Sequence, residues 1–226
     1  MHHDRPNTAF VMNSRPVYLE ERNQQSYLFV TQDSTVQFVA DACGNVLRSA
    51  NGFLEDNRFS WQCINGLSGL ETVGQTALSN SVLVLIGGAE QAWPISAAEL
   101  RLLKPAFRSA RHVCVIGAGV FLSLSAGLLD GRQISVHPNF RLAASEITID
   151  ADISCDVITH SGGLSSATGY VAASIMISEL VGEQAGSVTK QALDDHLGLN
   201  RPAQHADTQE QWRLLRKSQG HPVITA

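Results

Sequence analysis

The 226-residue sequence has little charge and few aromatics. Charged residues make up 16% of it against 44% hydrophobic, a balance that excludes disorder over most of its length. A basic excess is also lacking. Sixteen Lys and Arg against 21 Asp and Glu leave a net charge of −5, so there is no broad electrostatic footprint for nucleic acid or an anionic membrane. The four cysteines, Cys43, Cys63, Cys114 and Cys155, form no CxxC pair, which excludes a disulfide framework and a zinc site. Three of them lie in apolar or strand-like stretches and read as buried thiols of a reducing cytosol. No metal or other cofactor is expected. Long apolar runs are missing as well: "SVLVLIGG" is far too short to span a bilayer, and the first residues lack the order of a signal peptide. A soluble, cytoplasmic chain without membrane contact is expected.

What is present is an alternation. Residues 1–25 are polar, contain two prolines and show no period, and read as a disordered arm or an added edge strand around Val17 to Leu19. From Tyr27 the pattern becomes regular. "YLFVT" (27–31), "SVLVLIGG" (81–88) and "HVCVI" (112–116) are short apolar runs suited to buried parallel strands. "FSWQCI" (59–64), "LETVG" (70–74), "QISVH" (133–137) and "CDVITH" (155–160) are also strand-like. Helices are predicted over 35–50, 96–110, 118–129, 165–183 and 184–193, the second opened by Ser96 with Glu99 at the capping-box position. After Gly198 the chain is polar and reads as a linker over 199–226. Strands alternating with helices predict an α/β fold with a mostly parallel central sheet covered on both faces.

Ligands of open parallel sheets bind beyond the carboxyl ends of the strands. Gly87, Gly88, Gly117, Ala118 and Gly119 stand at two such ends, where small residues let backbone N–H groups approach a ligand. The alternative at each glycine is a tight strand-to-helix turn with no ligand. A dinucleotide fingerprint fails, since Leu122 stands where Gly or Ala is wanted.

The run "VIGAGVFLSLSAGLLDGRQISVH" resembles the corner, helix and following strand of the DJ-1/PfpI superfamily, with its class I glutamine amidotransferase-like fold. It is most similar to the N-terminal domains of GlxA-type AraC-family transcriptional regulators, which carry "AGLLDGR" after the corner. "FVTQDSTVQFVADACGNVLRSAN", "VLVLIGG" and "VITHSGGLSSATGYVAASIMISEL" resemble other segments of that family, so the resemblance spans about residues 27–195. It implies a flavodoxin-like three-layer sandwich over 26–198. A C-terminal helix-turn-helix domain, absent from this sequence, would contact operator DNA.

The departures bear on mechanism. In the family register the nucleophile position falls on Gly117, which cannot attack a substrate. The acidic residue expected early in the first helix is also absent, from Ser34 to Phe38. His137, twenty residues after Gly117, matches the family's pocket histidine. It is expected to donate a hydrogen bond to a ligand or to a neighbouring loop, or to be purely structural. His160 is expected either to approach the pocket or to be an exposed turn residue. Trp93 is expected at the pocket rim, and Phe121 in the core. The resemblance therefore implies a non-catalytic, dimeric effector-binding domain. Its small-molecule effector would be an amino acid or a small amine, bound by Gly87, Gly88, Trp93, Gly117, Ala118, Gly119, His137 and His160. The alternative is a hydrolase, hydratase or glyoxalase-like enzyme using Cys114 or His137.

Overall fold

A computed structural model describes residues 24–54, 56–147 and 151–200. Most of residues 1–25 and 199–226, expected to form an arm and a linker, lie outside the described residues. The order is β1 (Gln25–Thr31), α1 (Gln37–Leu54), β2 (Phe59–Asn65), α2 (Gln75–Ser79), β3 (Ser81–Ile86), α3 (Ala97–Ser109), β4 (His112–Ile116) and α4 (Gly119–Ser125). Then come β5 (Gln133–Ser135), α5 (Arg141–Ile147), β6 (Asp152–Ser154), β7 (Ile158–Ser161), β8 (Leu164–Ala167), α6 (Tyr170–Ala185) and α7 (Ser187–Leu197).

Six strands form one sheet in the order β2-β1-β3-β4-β8-β7, and β5 pairs with β6 in a small second sheet. All pairs are parallel except β7 with β8. Successive strand residues point to opposite faces, so the apolar runs divide into two cores. Leu28, Leu83, Leu85, Val113 and Val115 face α3 and α4. Tyr27, Phe29, Val82, Val84, Cys114 and Ile116 face α1 and α6. This is the predicted three-layer α/β sandwich. Two apolar faces explain why β3 and β4 read as unbroken hydrophobic runs.

Four expectations are corrected. Residues 70–74 do not form a strand. Leu67–Thr72 is a 3-10 turn that buries Leu67 and Leu70, three residues apart, on one side. The helix after Cys114 ends at Ser125, because Gly127 adopts φ +64 and stops it early. Residues 165–167 belong to β8 and not to a helix. Their serines gain partners across the fold: Ser166 Oγ accepts from the Ser135 N–H at 2.7 Å and lies 2.6 Å from Thr159 Oγ1. Of the cysteines, Cys43 and Cys114 are buried, but Cys63 and Cys155 are exposed.

The capping box of α3 is complete, with Ser96 Oγ accepting from Glu99 N–H and the Glu99 carboxylate accepting from Ser96 N–H. Ser96→Ala is expected to lower stability by about 1 kcal/mol, read as a lower denaturant midpoint with unchanged slope.

Candidate functional site

The carboxyl ends of β1, β3 and β4 bring three loops together. Gly117 follows Ile116 at φ +56 and leads directly into α4. It is a sharp strand-to-helix corner of the kind that presents a nucleophile in α/β hydrolytic enzymes.

This corner is filled by its own backbone. A Cβ on Gly117 would stand 2.5 Å from the Gly87 carbonyl oxygen and 2.8 Å from that of Gly88. One on Gly119 would meet the Leu85 carbonyl oxygen at 2.6 Å, and one on Gly87 would collide with the backbone of Ala118 and Gly119. The amides are also committed. Gly117 N–H donates to Ala167 C=O at 3.1 Å, Ala118 N–H to Gly88 C=O at 2.8 Å, and Gly87 N–H to Ile116 C=O at 3.0 Å. Gly88 N–H donates to the Gln32 side-chain oxygen at 3.2 Å. Gly87, Gly117, Ala118 and Gly119 are all buried. These glycines are therefore required by close approach of two chain segments, which is the strand-to-helix-turn alternative.

His137 is half-buried at the start of the 3-10 turn Pro138–Phe140. Its Nδ1 accepts from the Asn139 N–H at 3.3 Å, and Asn139 Nδ2 donates to the Ala89 carbonyl at 3.3 Å. His137 is thus tied through Asn139 to the loop after Gly88. Burial, and then the Arg141 charge, lower its pKa. The ring is neutral at pH 7, and with Nδ1 accepting, its proton sits on Nε2 as a hydrogen-bond donor.

No family profile matches the chain. The sequence is 25% identical over 161 residues to the HTH-type transcriptional regulator GlxA of Rhizobium meliloti, covering 71% of this chain and 49% of that protein. The chain thus spans about half the length of this curated relative. Among solved structures, an AraC family transcriptional regulator from Pseudomonas putida superposes with a TM-score of 0.64 at 22% identity, over 77% of this chain and 99% of the other. Drosophila melanogaster DJ-1beta superposes with a TM-score of 0.54 at 13% identity, over 79% and 98%. The chain has a DJ-1/PfpI-like fold. Its sequence is similar to that of a GlxA-type regulator.

Trp93 lies away from its expected place, and His160, which is exposed, meets only one of its two expectations. Trp93 is only 5% exposed and belongs to the core on the α3 and α4 face, with Phe121 and Phe140, so it is not at a rim. His160 does not approach Gly117. β7 runs antiparallel to β8, which carries His160 down the sheet to Ser165 and Glu179. Gln32 and Asn139 were missed, although Gln32 directly follows β1 and so sits where a strand-end loop should be inspected. Phe121 is in the core as expected, edge-on to Phe140 at 5.1 Å. An open groove of about 630 Å³, lined in part by Gln24, Arg48, Asn51, Asp56 and Trp61, lies at the opposite end of the sheet and shares no residue with the corner.

Cys114 is fully buried, and burial raises its pKa well above the usual thiol value; Cys43 is pushed up to about 12 for the same reason. Neither forms thiolate at neutral pH. In the native protein a thiol reagent is expected to label Cys63 and Cys155 within minutes, and Cys43 and Cys114 only after unfolding. Peptide mapping of the labelled protein checks this.

Proposed function

We propose that this DJ-1/PfpI-like domain is the non-catalytic, ligand-sensing and dimerising part of an AraC-type transcription regulator. Operator DNA would be bound by a separate helix-turn-helix domain of the longer protein, acting in the cytoplasm. The observation that carries the proposal is the corner. In the family register Gly117 stands at the nucleophile's place; its Cβ position is taken by the Gly87 and Gly88 carbonyls, and its N–H is already bonded. A glycine offers no group to attack a carbonyl, and the N–H groups of Gly87, Gly117 and Ala118 are already donated within the fold.

The effector site is placed over the corner, not in it. His137 Nε2–H supplies a donor, and the Gly88-Ala89 turn with Asn139 supplies the wall. A donor of this kind suits the carboxylate or carbonyl of an amino acid-like effector. Asp33, at the same end of the sheet after β1, supplies a carboxylate kept ionised by hydrogen bonds from Thr35. A small amine would use that charge.

A thermal-shift panel of amino acids, small amines and carboxylates tests this. At a hundredfold excess over Kd a ligand of the folded state adds about 2.7 kcal/mol, a rise of about 5–10 °C in Tm for a domain of this size. His137→Ala is expected to weaken the effective compound at least about tenfold, the loss of one hydrogen bond to a charged group. Turnover of any panel compound, or a shift indifferent to His137, would contradict the proposal.

A further inference from the structure

At the other end of β4 lies a second polar constellation, on the face covered by α6. Ser165 is fully buried. Its Oγ lies 2.8 Å from His112 Nε2 and 2.7 Å from His160 Nδ1, and His160 Nε2 lies 3.1 Å from Glu179 on α6. Four elements, β4, β8, β7 and α6, thus meet in one chain of hydrogen bonds.

The proton positions follow from the chemistry of the groups. An ionised Glu179 only accepts, so His160 donates from Nε2 and accepts at Nδ1. Ser165 then donates its single proton to His160 and accepts from His112 Nε2–H. Every link is satisfied with both imidazoles neutral. One added proton can rest on His160, which then donates to Glu179 and Ser165 while Ser165 donates to His112 Nε2; a second is tolerated poorly. With both rings protonated, two cations flank one buried hydroxyl, and the Ser165 proton loses both imidazole acceptors.

We propose that His112, Ser165, His160 and Glu179 form a proton-controlled latch that fastens the β7–β8 hairpin and α6 to β4 and loosens below neutral pH. It stands apart from the regulatory role proposed for the corner. Among the described residues, the charges near it include Arg111, in the turn before β4 and bonded to Gln25 at 2.8 Å, and Glu179 and Glu183 on α6. Cys114, next on the same face of β4, stays a neutral thiol because burial raises its pKa. Burial first, and then the charges of His160 and Arg111, lower the His112 pKa. At His112 the folded state therefore holds a proton less tightly than the unfolded chain does. The stabilisation is whole above the ordinary histidine value of about 6.5 and is lost as pH falls below it through the folded value.

Hydrogen exchange on the 226-residue chain at pH 7.5 and 5.5, corrected for intrinsic rates, reads the latch. Amides of β7 and β8 are expected to lose protection several-fold more than those of β1 and β3. His112→Gln retains a donor without a titration and is expected to abolish that excess. His160→Gln, at an exposed ring, is expected to do the same and serves if the first variant fails to fold. Equal loss across the sheet, or an unchanged excess in the folded variants, would overturn the latch.

Discussion

Gly117→Cys is expected to destabilise the domain by about 3 kcal/mol and to produce no turnover. Placing a non-glycine residue at φ +56 costs about 1 kcal/mol or somewhat more. Crowding a packed site adds about 1–3 kcal/mol, toward the upper part of the range because the atoms met at 2.5 and 2.8 Å are backbone carbonyls that cannot rotate away. Moving them would also break the bond from Ala118 N–H to Gly88 C=O. Gly131→Ala is the control. It has φ +69 with nothing within 4 Å of its Cβ position, so only the conformational part, about 1 kcal/mol, should appear. Denaturant unfolding of both variants measures the difference. Equal losses would mean that the corner has room for a side chain.

The second large effect is expected at the join of α6 and α7. Asp194 is 6% exposed. One carboxylate oxygen accepts from the buried Ser178 hydroxyl at 2.5 Å, and the other pairs with Lys190 one turn away. Gly182 lets the Lys190 stem lie against α6, since a Cβ there would stand 2.9 Å from it. Asp194→Ala strands the Ser178 hydroxyl without its acceptor, worth about 1–3 kcal/mol. It also leaves Lys190 unpaired, although that side chain is about a third exposed and is partly relieved by water. A loss of about 2–4 kcal/mol is expected, with Ser178→Ala costing less. A double-mutant cycle separates the pair from its neighbours.

Much of the fold was legible because burial on both faces leaves an unmistakable mark. "SVLVLI" and "HVCVI" have no polar side to confuse the pattern. β8 was not legible, because "LSSA" owes its strand to partners elsewhere in the chain, with Ser166 held by Ser135 and Thr159. The corner at Gly117 was visible from its place after a strand. What fills it was not, since that depends on two segments thirty residues apart meeting at their backbones. His160 could not be assigned from the sequence between the pocket and an exposed position: it is exposed, and the antiparallel run of β7 carries it toward the end of the sheet away from Gly117. Trp93 was placed by its loop, but its large apolar surface gains more from burial than a rim position allows.

The central claim is that the corner is closed and that an effector binds over it at His137. A crystal structure of the domain with the compound found by thermal shift tests this most directly. The account predicts an acceptor atom of the compound within hydrogen-bond distance of His137 Nε2, with the Gly87 and Gly88 carbonyls still packed on Gly117. A compound lodged against Gly117 with that turn displaced, or bonded covalently to Cys114, would contradict it.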